Sequence, residues 1–87
     1  MRFTNKMTPN QQLLTCVMEE CGELTQACSK VLRFGFEEKI EDVATEAGDL
    51  LALIDLMIEY GWITQEQLDN RKPIKRNKLK IYSDTLK

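Results

Sequence analysis

The stretch from Glu46 to Tyr60, EAGDLLALIDLMIEY, decides the fold, because its apolar residues have the spacing of one long helix. At 3.6 residues per turn, Glu46 shares a helix face with Leu50 and Leu53, and Asp49 lies at the edge of the same stripe. A charged carboxylate that is dry and unpaired costs several kcal/mol. We therefore expect a cation, a proton or water to reach these two acids.

A second long helix is predicted upstream, over residues 9–33. Thr8 is its expected N-cap, Pro9 occupies the first helical position, and Gln11 completes a capping box. Gly35 is its expected C-cap. Its apolar stripe consists of Leu13, Val17, Cys21, Leu24, Cys28 and Val31, widened by Leu14, Met18 and Leu32.

The remaining segments are read as connections and a short third helix. Residues 35–41 are expected to connect the two long helices, with or without a turn of helix, and the second long helix is expected over 42–60, closing at Gly61. Thr64 and Gln67 repeat the capping-box pattern and open a short helix. Pro73 is expected to end or kink it, leaving partial helix and then a frayed end.

These elements predict one all-α domain over residues 1–87. It has a leader at 1–8, a helical hairpin at 9–61, and a short helix with a basic tail at 62–87. A chain of this length buries only about 60–65% of the surface that its unfolded form exposes. Two long helices and a short one do not enclose a broad apolar face. We therefore expect hairpins to assemble into a four-helix-bundle core in a homodimer or homotetramer.

Charge is distributed unevenly along the chain. The net charge is -2, yet 13 of the 14 acids lie between Glu19 and Asp69, and 7 of the 12 bases lie from Arg71 onward. The acidic body and the lack of aromatic residues among the bases argue against nucleic-acid binding. The sequence shows neither a membrane span of about 20 apolar residues nor a signal-peptide apolar region, so no membrane partner is expected.

Cysteine usage indicates a reducing compartment. Cys21 and Cys28 stand about 10 Å apart along one helix, too far for a disulfide, so a cytoplasmic location is expected. The three cysteines are interpreted as buried structural thiols. Zinc is not expected, because the chain has no CxxC motif and no histidine.

The acidic residues at helical spacing point to a hard cation. Glu20 and Glu23 span one turn of the first helix, and Glu46 and Asp49 span one turn of the second. In an antiparallel hairpin these four carboxylates converge, with Asp42 as an accessory acid. Oxygen-only ligands suit Mg²⁺ first and Mn²⁺ second, and Mg²⁺ usually shares its coordination with substrate phosphates. The alternative is that the acids of the first helix form a charged surface patch.

The string EECGE at 19–23, with EAGD at 46–49 running into LLALIDLM, resembles the EExxE and ExxD motifs of the MazG-like all-α nucleoside triphosphate pyrophosphohydrolases. Dimeric dUTPases and phosphoribosyl-ATP pyrophosphatase are related to that family. The resemblance covers residues 9–61. It implies Mg²⁺-dependent cleavage of a nucleoside triphosphate between the α and β phosphates, giving the monophosphate and pyrophosphate, as house-cleaning of nucleotide pools.

The same resemblance implies roles for individual residues. Glu20, Glu23, Glu46 and Asp49 would bind Mg²⁺. Glu19 and Glu20 would be catalytic, Glu19 by binding metal through water or by orienting the nucleophile. The candidate phosphate-binding bases near the end of the chain are Lys72, Lys75 and Arg76, with Lys78 and Asn77 beside them.

Other readings of these residues stay open. The basic tail also fits a solvated terminus. The alternative functions are a non-catalytic helical oligomerisation or regulatory module, and a metal-stabilised bundle that binds nucleotides without hydrolysing them. The preferred base and sugar are not indicated by any residue.

Overall fold

The computed structural model describes residues 6–86, which form three helices and no strand. They are α1 (Pro9–Phe34), α2 (Phe36–Glu59) and α3 (Gln65–Tyr82). The all-α prediction is confirmed, whereas the predicted leader lies mostly outside the described residues. No helix within 6–86 combines the length and apolar character needed to cross a membrane. The chain divides into two compact units, Met1–Leu56 and Met57–Lys87.

Helix α1 begins and ends as its sequence predicts. The Thr8 hydroxyl accepts the Gln11 N–H at 3.2 Å, and the Thr8 N–H donates to the Gln11 side chain at 2.9 Å. Two N–H groups that would otherwise lack partners are thereby satisfied. At the other end, the Gly35 N–H donates to the Val31 carbonyl at 3.0 Å, and Gly35 has a φ of 112°. Both helix boundaries therefore follow from local capping signals.

Helix α2 begins six residues earlier than expected, at Phe36 rather than at residue 42. The predicted connection over 35–41 is thus wrong, and Gly35 alone separates the two long helices. A positive φ at glycine reverses the chain without steric cost, so a longer loop is not required. Glu37 and Glu38 lie in the first turn of α2, where negative charge is stabilised by the helix dipole.

In the second unit, α2 closes at Gly61 as predicted. Gly61 has a φ of 77°, its N–H donates to the Ile58 carbonyl at 2.9 Å, and the Trp62 N–H donates to the Met57 carbonyl at 3.0 Å. These two bonds make a Schellman cap. The Trp62 ring then meets the Tyr60 ring edge-to-face, with centroids 6.2 Å apart.

Helix α3 begins at the predicted capping box of Thr64 and Gln67, with bonds of 3.1 and 2.8 Å. Of the prediction that Pro73 ends or kinks a short helix, the ending is wrong, because α3 runs for 18 residues through Pro73 to Tyr82. A proline removes one N–H donor, and the other residues of so long a helix keep their own bonds. The basic segment is therefore mostly helical.

The first unit is an antiparallel hairpin with a thin core. Residues late in α1 meet residues early in α2: Cys28, Val31 and Leu32 share one surface groove with Phe36, Ile40 and Val43. Among residues 6–86 only Leu13 and Ala27 are buried, and α2 contributes no buried residue. Two helices cover only one strip of each other. The hairpin therefore leaves apolar side chains uncovered.

The interpretation of the cysteines as buried thiols is wrong for this chain. Cys21 and Cys28 are exposed, Cys16 is half-buried, and all three thiols are free. The apolar residues expected to widen the α1 stripe are also exposed, with Met18 at 74% and Leu32 at 88% of full exposure. The apolar stripe is present in the sequence, but α2 alone covers only part of it.

Candidate metal centre

Three carboxylates from two helices converge inside the first unit. Glu20 comes from α1, and Glu46 and Asp49 come from one face of α2. One oxygen from each of the three lies within 4.8 Å of the others. The spacing of three residues on α2 places its two acids on one face, and the antiparallel arrangement of the hairpin brings Glu20 opposite them.

Glu20 carries a polar atom that the protein leaves unsatisfied. Its side chain is half-buried, and the Oε2 atom is out of contact with solvent and has no hydrogen-bond partner among the described residues. Buried polar atoms are nearly always paired, because an unmade hydrogen bond leaves their desolvation uncompensated. An ionised carboxylate only accepts hydrogen bonds. Because ionised neighbouring acids cannot donate a hydrogen bond to this oxygen, a proton or a cation must lie between the carboxylates to satisfy it.

Ionisation of Glu46 is disfavoured by its surroundings. Partial burial raises its pKa above the ordinary value, and the negative charges of Glu23, Glu20 and Asp49 raise it further. The nearby Glu20 carboxylate raises this pKa in a second way, because it would accept a hydrogen bond from the protonated form of Glu46 alone. A carboxyl that resists ionisation beside other acids marks a place where positive charge is stabilising.

The three acids fit a hard divalent cation. The oxygens of Glu20, Glu46 and Asp49 lie within 4.8 Å of one another, so small carboxylate rotations would let all three hold one divalent cation. Three carboxylates would leave further coordination positions for water or substrate. Mg²⁺ or Mn²⁺ suits such a site, and soft metals do not.

The two remaining acids of the EECGE string lie in different environments. Glu23 is exposed one turn beyond Glu20, and it is near enough to raise the pKa of Glu46. It lies beside the three converging acids without joining them. Glu19 is exposed on α1 and is not among the three converging acids. Its catalytic role stays a prediction.

A polar groove of about 250 Å³ meets the three converging acids at Glu46. It is lined by Glu23, Gln26, Ala27, Lys30, Asp42 and Glu46. Asp42, expected as an accessory acid, is therefore on the groove. Gln26 and Lys30 were not anticipated. Their spacing of three and seven residues from Glu23 is the signal that places them on one helix face.

The predicted phosphate-binding bases lie on α3, in the second unit. Lys72 pairs with Asp69 at 3.4 Å, and both side chains are largely exposed. A hydrogen bond from Gln65 is the main cause that lowers the pKa of Asp69. Desolvation opposes it, and the hydrogen bond and charge of Lys72 add smaller lowering effects. Lys75 is exposed, and Arg76 lines a surface groove with Pro73, Asn77 and Lys80. Phosphate binding by these bases stays a prediction.

Comparisons of the chain with protein-family models, with curated proteins and with solved structures found no match. Function is therefore inferred from the converging acids, the adjoining groove and the motif resemblance.

Proposed function

We propose that the protein is a Mg²⁺-dependent nucleoside triphosphate pyrophosphohydrolase of the MazG-like type. It would cleave ribo- or deoxyribonucleoside triphosphates between the α and β phosphates, as house-cleaning in the cytoplasm. The observation that carries the proposal is the convergence of Glu20, Glu46 and Asp49 within 4.8 Å. The order and gap of the two acidic motifs support it, because they resemble those of that family.

The residues present favour binding of a cation together with a phosphorylated substrate. Glu20 offers an unsatisfied oxygen, and Glu46 and Asp49 offer two more from the facing helix. Bound Mg²⁺ would neutralise phosphate oxygens and lower the pKa of a water so that hydroxide is available near neutral pH. Glu23 supplies a further carboxylate next to the site, and Glu19 remains the candidate for orienting the attacking water.

We further infer that the protein works as a homodimer or homotetramer. Helix α2 has no buried residue, although its sequence is rich in leucine and isoleucine, and Leu51 is 60% exposed. On α1, Met18 is 74% exposed. Large uncovered apolar areas are characteristic of surfaces that bind another protein. A second copy is the simplest occupant, because two such hairpins complete a four-helix core.

The test is pyrophosphate release from a panel of nucleoside triphosphates with Mg²⁺. Glu20→Ala and Glu46→Ala should each lower the rate by at least about 100-fold, since even partners that merely orient metal ligands contribute 10- to 100-fold. Glu59→Ala, an exposed acid on α2, is the matched control and should keep full activity. Absence of release from every nucleotide would refute the enzyme.

The second candidate is a non-catalytic helical oligomerisation or regulatory module. The uncovered apolar face of α2 favours it, because that face predicts assembly whether or not catalysis occurs. Such a module would self-associate without releasing pyrophosphate. If it also bound Mg²⁺ and nucleotide, the acids would stabilise the fold without turning substrate over.

A further inference from the structure

The groove beside the metal centre contains one base among three acids. Lys30 lies on α1, and Glu23, Asp42 and Glu46 line the same space of about 250 Å³. Within residues 6–86, Lys30 forms no ion pair with any of these acids. A lysine that neighbours three acids without pairing to any of them is available to a ligand.

The position of Lys30 along α1 gives the groove a direction. It follows Glu23 by seven residues, which is about 10 Å of helix. Glu46 belongs both to the converging acids and to the groove, so the groove leads from the metal centre towards Lys30. Gln26 lies between them on the same lining and offers an amide donor. Lys30 and Gln26 thus supply the hydrogen-bond donors of a lining that otherwise carries the three acids and Ala27.

We propose that Lys30 binds the β and γ phosphates of the substrate, which leave as pyrophosphate. This inference rests on the proposed function. A triphosphate brings more negative charge than one divalent cation offsets, and Lys30 is the only base among the described residues that line this groove. The amide of Gln26 donates to an oxygen of the same leaving group. The substrate phosphates then extend from the metal centre along the groove, and the bases of α3 are not needed for this contact.

The test is calorimetric binding of inorganic pyrophosphate in the presence of Mg²⁺. Lys30→Met should weaken pyrophosphate binding by about 10-fold or more, the usual effect of removing a hydrogen bond to a charged group. Lys30→Arg should restore most of it, because the charge is kept. Binding of Mg²⁺ alone should not weaken in either variant. Lys39→Met, in the same unit but outside the groove lining, is the matched control and should bind as the wild type does.

The inference is overturned if Lys30→Met binds pyrophosphate as tightly as the wild type, if Lys39→Met loses as much, or if the wild type binds none. Turnover separates this from the proposed function. An active wild type with an unchanged triphosphate KM in Lys30→Met overturns the role of Lys30 alone. Pyrophosphate binding that depends on Lys30, in a protein that hydrolyses no triphosphate, supports the phosphate site and refutes the hydrolase.

Discussion

Glu20 on α1 and Glu46 on α2 face each other across the hairpin, with carboxylate oxygens within 4.8 Å and with Oε2 of Glu20 unsatisfied among the described residues. Like charges this close repel when both are ionised. The protein therefore places at this point a destabilising contact that a proton or a cation relieves. A substitution that removes one of these charges should thus raise the stability of the metal-free protein and lower its affinity for metal.

The first prediction concerns Glu46→Gln without metal. The folded pKa of Glu46 is raised above the ordinary 4.5, so the folded state holds its proton more tightly than the unfolded state. Stability contributed by this group is present below pH 4.5 and is lost as pH rises through the folded pKa. The variant should lack this loss and be at least as stable as the wild type near pH 7, while losing turnover.

Denaturant unfolding from pH 4 to 8 with a chelator present checks this prediction. Glu59→Gln, at an exposed position of the same helix, should follow the wild-type pH dependence. Identical pH profiles for the wild type and Glu46→Gln would show that Glu46 has no unfavourable charge in the fold.

The second prediction concerns Mg²⁺ and thermal stability. A ligand at 100 times its Kd stabilises the folded state by about 2.7 kcal/mol, which corresponds to a Tm increase on the order of 10 °C in a chain of this size. Mg²⁺ should raise the Tm more at pH 8 than at pH 5, because protons compete for Glu46. Thermal melts with and without Mg²⁺ measure this. Glu20→Ala should remove most of the increase, and an equal increase in that variant would place the ion elsewhere.

The third prediction tests assembly. Leu51→Glu places a charge on the exposed apolar face of α2, so it should convert a homodimer or homotetramer into a monomer. Sedimentation equilibrium at micromolar concentration measures the mass directly. Thr45→Glu adds the same charge at an exposed polar position of α2 and should leave the mass unchanged. A monomeric wild type would refute self-association.

The fourth prediction concerns Pro73 inside α3. Replacing it with alanine restores an N–H donor within an 18-residue helix, so α3 should gain up to about 3 kcal/mol of helix stability. Hydrogen exchange of α3 amides and circular dichroism should both show the gain. Asn77→Ala in the same helix is the control and should change stability by only a few tenths of a kcal/mol. Faster exchange in Pro73→Ala would mean that the ring itself stabilises this segment.

The fifth prediction contrasts two glycines. Gly61 has a φ of 77°, so Gly61→Ala should cost about 1–2 kcal/mol by forcing a side chain into the left-handed region. Gly22 is inside α1, and a Cβ added there meets no atom within 4 Å, so Gly22→Ala should stabilise by about 0.5–1 kcal/mol. Chemical denaturation of both variants checks the opposite signs. A stabilising Gly61→Ala would contradict the Schellman cap.

The sequence predicts helix ends that depend on nearby residues, but it does not predict which apolar side chains other helices cover. The capping boxes at Thr8 and Thr64 depend on residues three apart, so they were predicted correctly. The early start of α2 was missed because a single residue, Gly35, makes the turn where a longer connection was expected. Periodicity placed Cys28 on the apolar stripe of α1, but it does not tell whether anything covers that stripe.

The candidate site likewise has one part that the sequence predicts and one part that it does not. The proximity of Glu20 to Glu46 was expected, because each motif keeps its acids on one helix face and a hairpin opposes the two faces. Lys30 was missed, because a lone lysine on a polar helix face is indistinguishable from a solvated surface residue in the sequence. Only the groove shared with Asp42 distinguishes it, and that groove exists only when α1 and α2 pack together.

Gly35 also determines which changes in chain length this protein tolerates during evolution. Glu23 lies twelve residues before it and Glu46 eleven residues after it, so the two motifs are almost equidistant from the turn. An insertion in either arm displaces one motif relative to the other by about 1.5 Å per residue and rotates it by about 100°. Length changes within the two helical arms should therefore survive only as compensating pairs, one in each arm, whereas changes outside the motifs are free of this constraint.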